Sequence, residues 1–159
     1  MAQNIITPAE VIAIAFSDGE YVATEVVTDT DITTAIEWWI IPITGRALLD
    51  AVGEGKYADL KEEYITPAVA LCTRLVVQPR LNVQTSQLGL SVPIGSHRRA
   101  ADAKARKELK RALVLRAQTM RKRLSAYLEQ HAAEIEEYCS EDNILNRCSC
   151  EGGLVQIIK

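Results

Sequence analysis

The feature that most constrains the fold is a long stretch near the C-terminus that contains neither glycine nor proline. It runs from Arg99 to Cys139, and its apolar side chains recur in steps of three or four residues. This spacing places them on one side of an α-helix. They are Leu109, Leu113, Ala117, Met120, Leu124, Tyr127, His131, Ile135 and Tyr138.

A single helix over this stretch would be about 60 Å long at the usual rise per residue. A domain built from 159 residues is too small to cover such a rod. We therefore expect the helix either to break or to pack partly on another subunit. Whichever occurs, we predict that a set of its apolar residues is shielded from solvent. These residues are Leu109, Leu113, Ala117, Leu124, Leu128 and Ile135.

The first half of the chain predicts several shorter helices. Thr7 and Glu10 form a capping-box pattern around Pro8, which predicts a helix that stops near residue 17. The Thr28–Asp31 segment supplies N-cap candidates for a second helix, in which Pro42 should cause a kink or a restart. A further helix is expected from Ile43 to Val52.

Two segments favour extended structure, one after the first predicted helix and one before the long helix. Residues 20–28 are rich in β-branched side chains, and residues 82–95 suggest a short β-hairpin or an extended loop. A fourth helix should begin near Lys56, kink at Pro67 and stop before Pro79. The fold class is thus mainly α: a single helical domain over residues 1–142, with a C-terminal tail over residues 143–159.

Charge is strongly segregated along the chain although the net charge is only −3. Residues 1–96 carry twelve acidic against five basic residues, a balance of −7, whereas residues 97–123 carry eleven basic against two acidic residues, a balance of +9. Fields of opposite sign within one molecule favour association with charged partners. The basic run therefore holds the candidate contact residues, which are Arg98, Arg99, Lys104, Arg106, Lys107, Lys110 and Arg111.

Three roles remain open for this basic run. It could dock on an acidic protein surface, including that of a second copy, and we favour this role. It could instead neutralise phosphates of DNA without sequence preference, although it lacks the aromatic residues that stack on single-stranded bases. It could also be only a solvated helix face.

The sequence is poor in residues suited to catalysis. His97 and His131 lie in no recognisable triad or metal motif, and we expect His131 to have a packing role. Cys139, Cys148 and Cys150 are close together, but their spacing differs from the paired cysteines of zinc ribbons, so free thiols are the preferred interpretation. We expect no enzymatic activity, no cofactor and no bound metal.

The chain shows neither the apolar run of a membrane-spanning helix nor the pattern of a secretory signal. We therefore expect a protein of the cytoplasm that has no membrane partner and whose cysteines are reduced.

Several short segments give the chain a resemblance to a known family. They are Ile6-Thr7-Pro8-Ala9-Glu10-Val11, Ile41-Pro42-Ile43-Thr44-Gly45, Lys56-Tyr57-Ala58-Asp59-Leu60, Tyr64-Ile65-Thr66-Pro67-Ala68 and Leu88-Gly89-Leu90. With the basic helix that follows, the pattern resembles the small head–tail connector proteins of tailed phages and of prophages in gut bacteria. It covers about residues 5–142.

The resemblance implies a helical subunit that forms a ring beneath the portal and joins the DNA-filled head to the tail. Its partners would be further copies of itself, the portal and tail proteins, and its location would be the host cytoplasm during assembly and then the virion. No reaction is implied. The alternative is a nucleic-acid-binding accessory or regulatory protein that uses the basic helix over residues 97–123.

Overall fold

The fold is mainly helical, as predicted. The computed structural model describes residues 5–16, 20, 22–82, 84–86, 89–91, 102–151 and 154–157. The helices in these residues are α1 (Pro8–Ala15), α2 (Asp29–Ala35), α3 (Ile41–Thr44), α4 (Arg46–Gly53), α5 (Ala58–Leu60), α6 (Thr66–Asn82), α7 (Ala103–Gln130) and α8 (Ile144–Arg147). The strands are β1 (Gln84–Ser86), β2 (Gly89–Ser91), β3 (Cys148–Glu151) and β4 (Leu154–Ile157).

Helix α6 is the centre of the fold. It packs against α1, α2 and α7, so most of its side chains from Ala68 to Val77 are buried. The core is aliphatic, in keeping with an aromatic share of 5%. Its largest fully buried side chains include Ile40, Ile43, Leu48, Ile65, Leu124 and Leu128.

The predicted starts of the first two helices, α1 and α2, are confirmed. The Thr7 side chain accepts from the Glu10 amide at 3.3 Å, and the Thr7 amide donates to the Glu10 carboxylate at 2.7 Å. Thr28 and Asp31 form the same reciprocal capping box before α2. Each box satisfies amide groups that a helix N-terminus would otherwise leave unpaired.

Two prolines interrupt regular helix in the same way. Pro42 follows a π-helical turn over Ile36–Ile40, and Pro67 follows another over Lys61–Ile65. A proline ring clashes with the carbonyl four residues earlier and offers no amide, so a locally widened turn accommodates it. The kinks predicted at these prolines thus take the form of π turns within continuous helix.

The prediction that the helix beginning near Lys56 stops before Pro79 is wrong, because α6 continues through Pro79 to Asn82. Arg80 explains the continuation. Its guanidinium donates to both carboxylate oxygens of the buried Asp31, at 3.0 and 2.6 Å, and to the Val26 carbonyl at 2.9 Å. These contacts fasten the last turns of α6 to α2, and their stabilisation outweighs the tendency of Pro79 to end a helix.

The long C-terminal helix is shorter than predicted. Asp102 is its N-cap, and α7 ends at Gln130 rather than near Cys139. The chain turns directly after Gln130, over residues 131–134. The stripe is nevertheless buried at Leu113, Ala117, Leu124, Leu128 and Ile135, as predicted. Leu109 is the exception, because 36% of it is exposed.

Three further segments differ from the sequence expectation or extend it. Residues 24–26 form a short 3₁₀ turn rather than extended structure. In the described part of residues 82–95, β1 and β2 pair antiparallel, with Thr85 opposite Leu90. Asn143, which the sequence assigns to the tail, is completely buried, and β3 pairs with β4 beyond it.

The turn after α7 is fastened by Glu137. Its carboxylate accepts from Lys56 Nζ at 2.8 Å and from the Tyr57 hydroxyl at 2.6 Å. These two donors lower the pKa of Glu137 from 4.5 to about 2. Tyr57 adopts a left-handed backbone conformation, with φ of 55°, which brings its ring to this carboxylate.

We expect the Glu137 contact to make stability depend on pH. Because the pKa is lower in the folded state, its stabilising contribution is present above pH 4.5 and is lost as the pH falls toward 2. The Glu137→Gln variant should therefore show a weaker decline of melting temperature with acidification over this window. Glu136→Gln, on the exposed neighbour, is the matched control. If both variants follow the wild-type curve, the contact does not contribute.

Candidate partner-binding surface

The first turns of α7 extend beyond the core. From Ala103 to Ala112 every side chain is exposed except that of Arg106, which is half-buried. Five of the predicted contact residues lie here: Lys104, Arg106, Lys107, Lys110 and Arg111. The other two, Arg98 and Arg99, lie outside the described residues.

Two of these cations continue the line of the buried stripe. Arg106 precedes the buried Leu113 by about two helical turns, and Lys110 precedes the buried Ala117 by the same interval. They therefore stand on the face that points toward α6. Lys104 and Arg111 stand on the opposite, outward face of the same turns. The stripe changes from apolar to cationic at the point where α7 leaves the core.

This change leaves a groove between α7 and the end of α6. The groove has a volume of about 560 Å³ and is lined by Trp39, Leu75, Pro79, Arg106, Lys110 and Leu113, among others. Apolar side chains form its floor and cations its rim. We call it the cationic groove.

Trp39 reaches the groove from the π turn before Pro42. Its carbonyl accepts from Arg121 Nε at 3.3 Å, which ties this turn to the middle of α7. The preceding residue, Trp38, is 73% exposed. Sequence reasoning assigned both tryptophans to a helix and missed that Trp39 lines the groove. The sequence signal that could have pointed to Trp39 is the pair of adjacent tryptophans shortly before Pro42.

The cations in the first turns of α7 are free to bind a partner. Within the described part of the chain, Lys104, Arg106, Lys107, Lys110 and Arg111 form no ion pair, and Arg106 Nε only donates weakly to the Asp102 carbonyl at 3.4 Å. Arg80 contrasts with them, since its guanidinium binds Asp31 within the fold. Five cations without an ion pair thus lie within the first turns of α7, and Arg116, Lys122 and Arg123 further along the helix form none either with the residues that the structure describes.

Within the described part of the chain, no cluster of the predicted candidates for chemistry is found, and His97 lies outside the described residues. His131 ends α7, where its ring stacks on Tyr127 with centroids 4.1 Å apart and its Nδ1 lies 2.9 Å from the Tyr127 carbonyl. Cys72 is buried, and burial raises the pKa of its thiol to about 11. Cys139 is exposed and free, whereas the side chains of Cys148 and Cys150 lie outside the described residues.

No described helix is both long and apolar enough to cross a membrane. Within the same residues, no cluster of His, Cys, Asp or Glu side chains is arranged to hold a metal ion.

The chain matches no known family model, no curated protein and no solved structure.

Chemically, the groove can bind a segment that combines acidic and apolar side chains. Its cations can pair with carboxylates, and the indole of Trp39 together with Leu75 and Leu113 can bury aliphatic or aromatic groups. Tryptophan and arginine are the residue types that most often dominate the energetics of protein interfaces. The arrangement suits recognition of a protein surface.

Proposed function

We propose that this chain is a non-enzymatic assembly subunit, a head–tail connector of a tailed phage or prophage. It would oligomerise into a ring, contact portal and tail proteins, and pass from the host cytoplasm into the virion. The observation that carries the proposal is the cationic groove, where unpaired cations border an apolar floor. The resemblance of residues 5–142 to connector proteins supports the same conclusion.

The energetics favour docking that combines charge with burial. An exposed ion pair contributes only about 0–1 kcal/mol, so cations alone would give weak and nonspecific attraction. Burying apolar area contributes about 25 cal/mol per Å², and Trp39 offers such area beside Arg106 and Lys110. Both terms act together only on a partner that presents carboxylates next to apolar side chains.

The outward cations support a second candidate, nonspecific binding of nucleic acid. Lys104 and Arg111 are exposed on the side of α7 that faces away from the groove. Cations on several faces of a helix can neutralise phosphates, which gives an affinity that falls steeply with salt. This function would use the outward cations as much as those of the groove.

Charge reversal tests the proposal. In a phage or prophage that encodes this chain, we expect the Arg106→Glu, Lys107→Glu, Lys110→Glu and Arg111→Glu variant to leave heads and tails unjoined, while circular dichroism shows an intact fold. A control that reverses Arg116 and Lys122, which are exposed further along α7, should still support joining. Normal joining by the fourfold variant would refute the proposal.

A further inference from the structure

We infer that the partner of the cationic groove is a second copy of this chain, which offers an acidic, tyrosine-lined pocket at the far end of α7. This inference rests on the proposed function and names the surface that the groove would bind. The pocket has a volume of about 340 Å³ and is lined by Tyr57, Asp59, Tyr127, His131 and Glu134, with Leu60 and Ile135 beneath them. We call it the tyrosine pocket.

The aromatic residues of the tyrosine pocket are suited to receive a cation. Tyr64, Tyr127 and His131 form a stack, with ring centroids 4.3 and 4.1 Å apart. A guanidinium or ammonium group over a tyrosine face is attracted by the ring quadrupole. The outer face of Tyr64 already has Arg123 above it, with its guanidinium carbon 5.8 Å from the ring centroid. Because Tyr64 and His131 cover the two faces of Tyr127, the ring that can receive a cation in the pocket is Tyr57, which forms no ring contact within the described residues.

The carboxylates of the pocket are unpaired within the described residues. Asp59 and Glu134 are exposed, and neither forms an ion pair. The nearby cation Lys56 is bound to Glu137, at 2.8 Å, and does not neutralise them. The pocket thus combines two free carboxylates with aromatic faces, the converse of the groove with its two free cations, Arg106 and Lys110.

The two surfaces lie at opposite ends of one helix. From Arg106 to His131, α7 spans about 37 Å at the usual rise per residue, so one copy cannot bring its own groove to its own pocket. When two copies meet head to tail, with one groove joined to one pocket, each pair keeps one free groove and one free pocket, whereas an antiparallel pair would use both contacts and end at a dimer. Such a heterologous contact adds copies until the rotation between them closes a ring.

Two complementary variants test the contact directly. The groove variant carries Arg106→Glu and Lys110→Glu, and the pocket variant carries Asp59→Lys and Glu134→Lys. We expect wild-type protein at high concentration and low salt to form species larger than a dimer in sedimentation velocity, and each variant alone to stay monomeric. Mixed in equal amounts, the variants should associate again, from the heterodimer upward, because the intact groove of one variant meets the intact pocket of the other and the two reversed surfaces also carry opposite charges.

Controls and contrary outcomes separate this inference from the proposed function. Lys104→Glu with Arg111→Glu, and Glu25→Lys with Glu141→Lys, change the same charge on exposed residues elsewhere and should associate like the wild type. A folded mixture without heterodimer, or wild type that stays monomeric at its highest soluble concentration, overturns the inference. If the groove variant then still fails to join heads to tails, the groove binds another protein and the proposed function stands. If it joins them normally, both fail.

Discussion

Replacing Arg74 with alanine should lower the free energy of unfolding by about 3 kcal/mol, because hydrogen bonds from a buried charge and the packing of its side chain are lost together. Arg74 is only 2% exposed in the middle of α6. Its guanidinium donates to the Ala15 carbonyl and to Glu20, the latter at 2.6 Å, and lies 4.4 Å from the centroid of the Phe16 ring. A cation at the C-terminal end of α1 is also favoured by the helix dipole.

Denaturant unfolding followed by circular dichroism measures the effect. Glu20→Gln is the control, since it retains the buried guanidinium and its bond to the Ala15 carbonyl, and it should cost less than about 1 kcal/mol because the Glu20 side chain is partly exposed. Hydrogen exchange should show α1 opening first in the Arg74→Ala variant. If Arg74→Ala costs no more than Glu20→Gln, the attachment of α1 to α6 has another basis.

Replacing Glu129 with alanine should cost about 2–3 kcal/mol, because it leaves three part-buried donors without their acceptor. The Glu129 carboxylate accepts from the Tyr138 hydroxyl, from Ser140 Oγ at 2.7 Å and from Asn146 Nδ2 at 2.6 Å. Burial opposes its charge, yet these donors lower its pKa overall. Burial, together with the same bond to Glu129, raises the pKa of Tyr138 to about 12.

The loss should be local to the reversal of the chain after α7. Buried Asn143 donates to Ser125 Oγ at 2.8 Å and to the Tyr138 hydroxyl at 2.9 Å, so the network joins both sides of the turn. Hydrogen exchange in the Glu129→Ala variant should accelerate over residues 135–146 and remain slow in α6. Glu136→Ala, an exposed glutamate in the same turn, serves as the control. Equal unfolding free energies for the two variants would contradict this role.

This network also explains where sequence reasoning failed. The residues from His131 to Cys139 contain no helix breaker, and their apolar spacing fits a longer helix. The helix ends because the contacts of Glu129 and Glu137 with residues outside α7 stabilise the reversal of the chain. This stabilisation exceeds what helix propensity would contribute to a further turn. Capping boxes and the buried stripe could be predicted because both depend on neighbouring residues alone.

The candidate site was predictable only in part. The basic run includes Arg106 and Lys110, which line the groove. Helical spacing alone predicted that Leu109 is buried, but 36% of it is exposed. The groove requires α6 to continue through Pro79 and the π turn to present Trp39. Both depend on tertiary contacts that accommodate Pro42 and Pro79 within helix, and the spacing of residues along the sequence does not reveal such contacts.

The central claim is that the cationic groove, and not positive charge in general, binds the partner. The most direct measurement compares the Arg106→Glu and Lys110→Glu pair with the Lys104→Glu and Arg111→Glu pair, which changes the same charge on the same turns of α7. Binding of each purified variant to portal-bearing heads that lack this protein should weaken about tenfold or more for the groove pair and less than about twofold for the outward pair. Equal weakening by both pairs, matched by equal weakening of duplex DNA binding, would contradict the account.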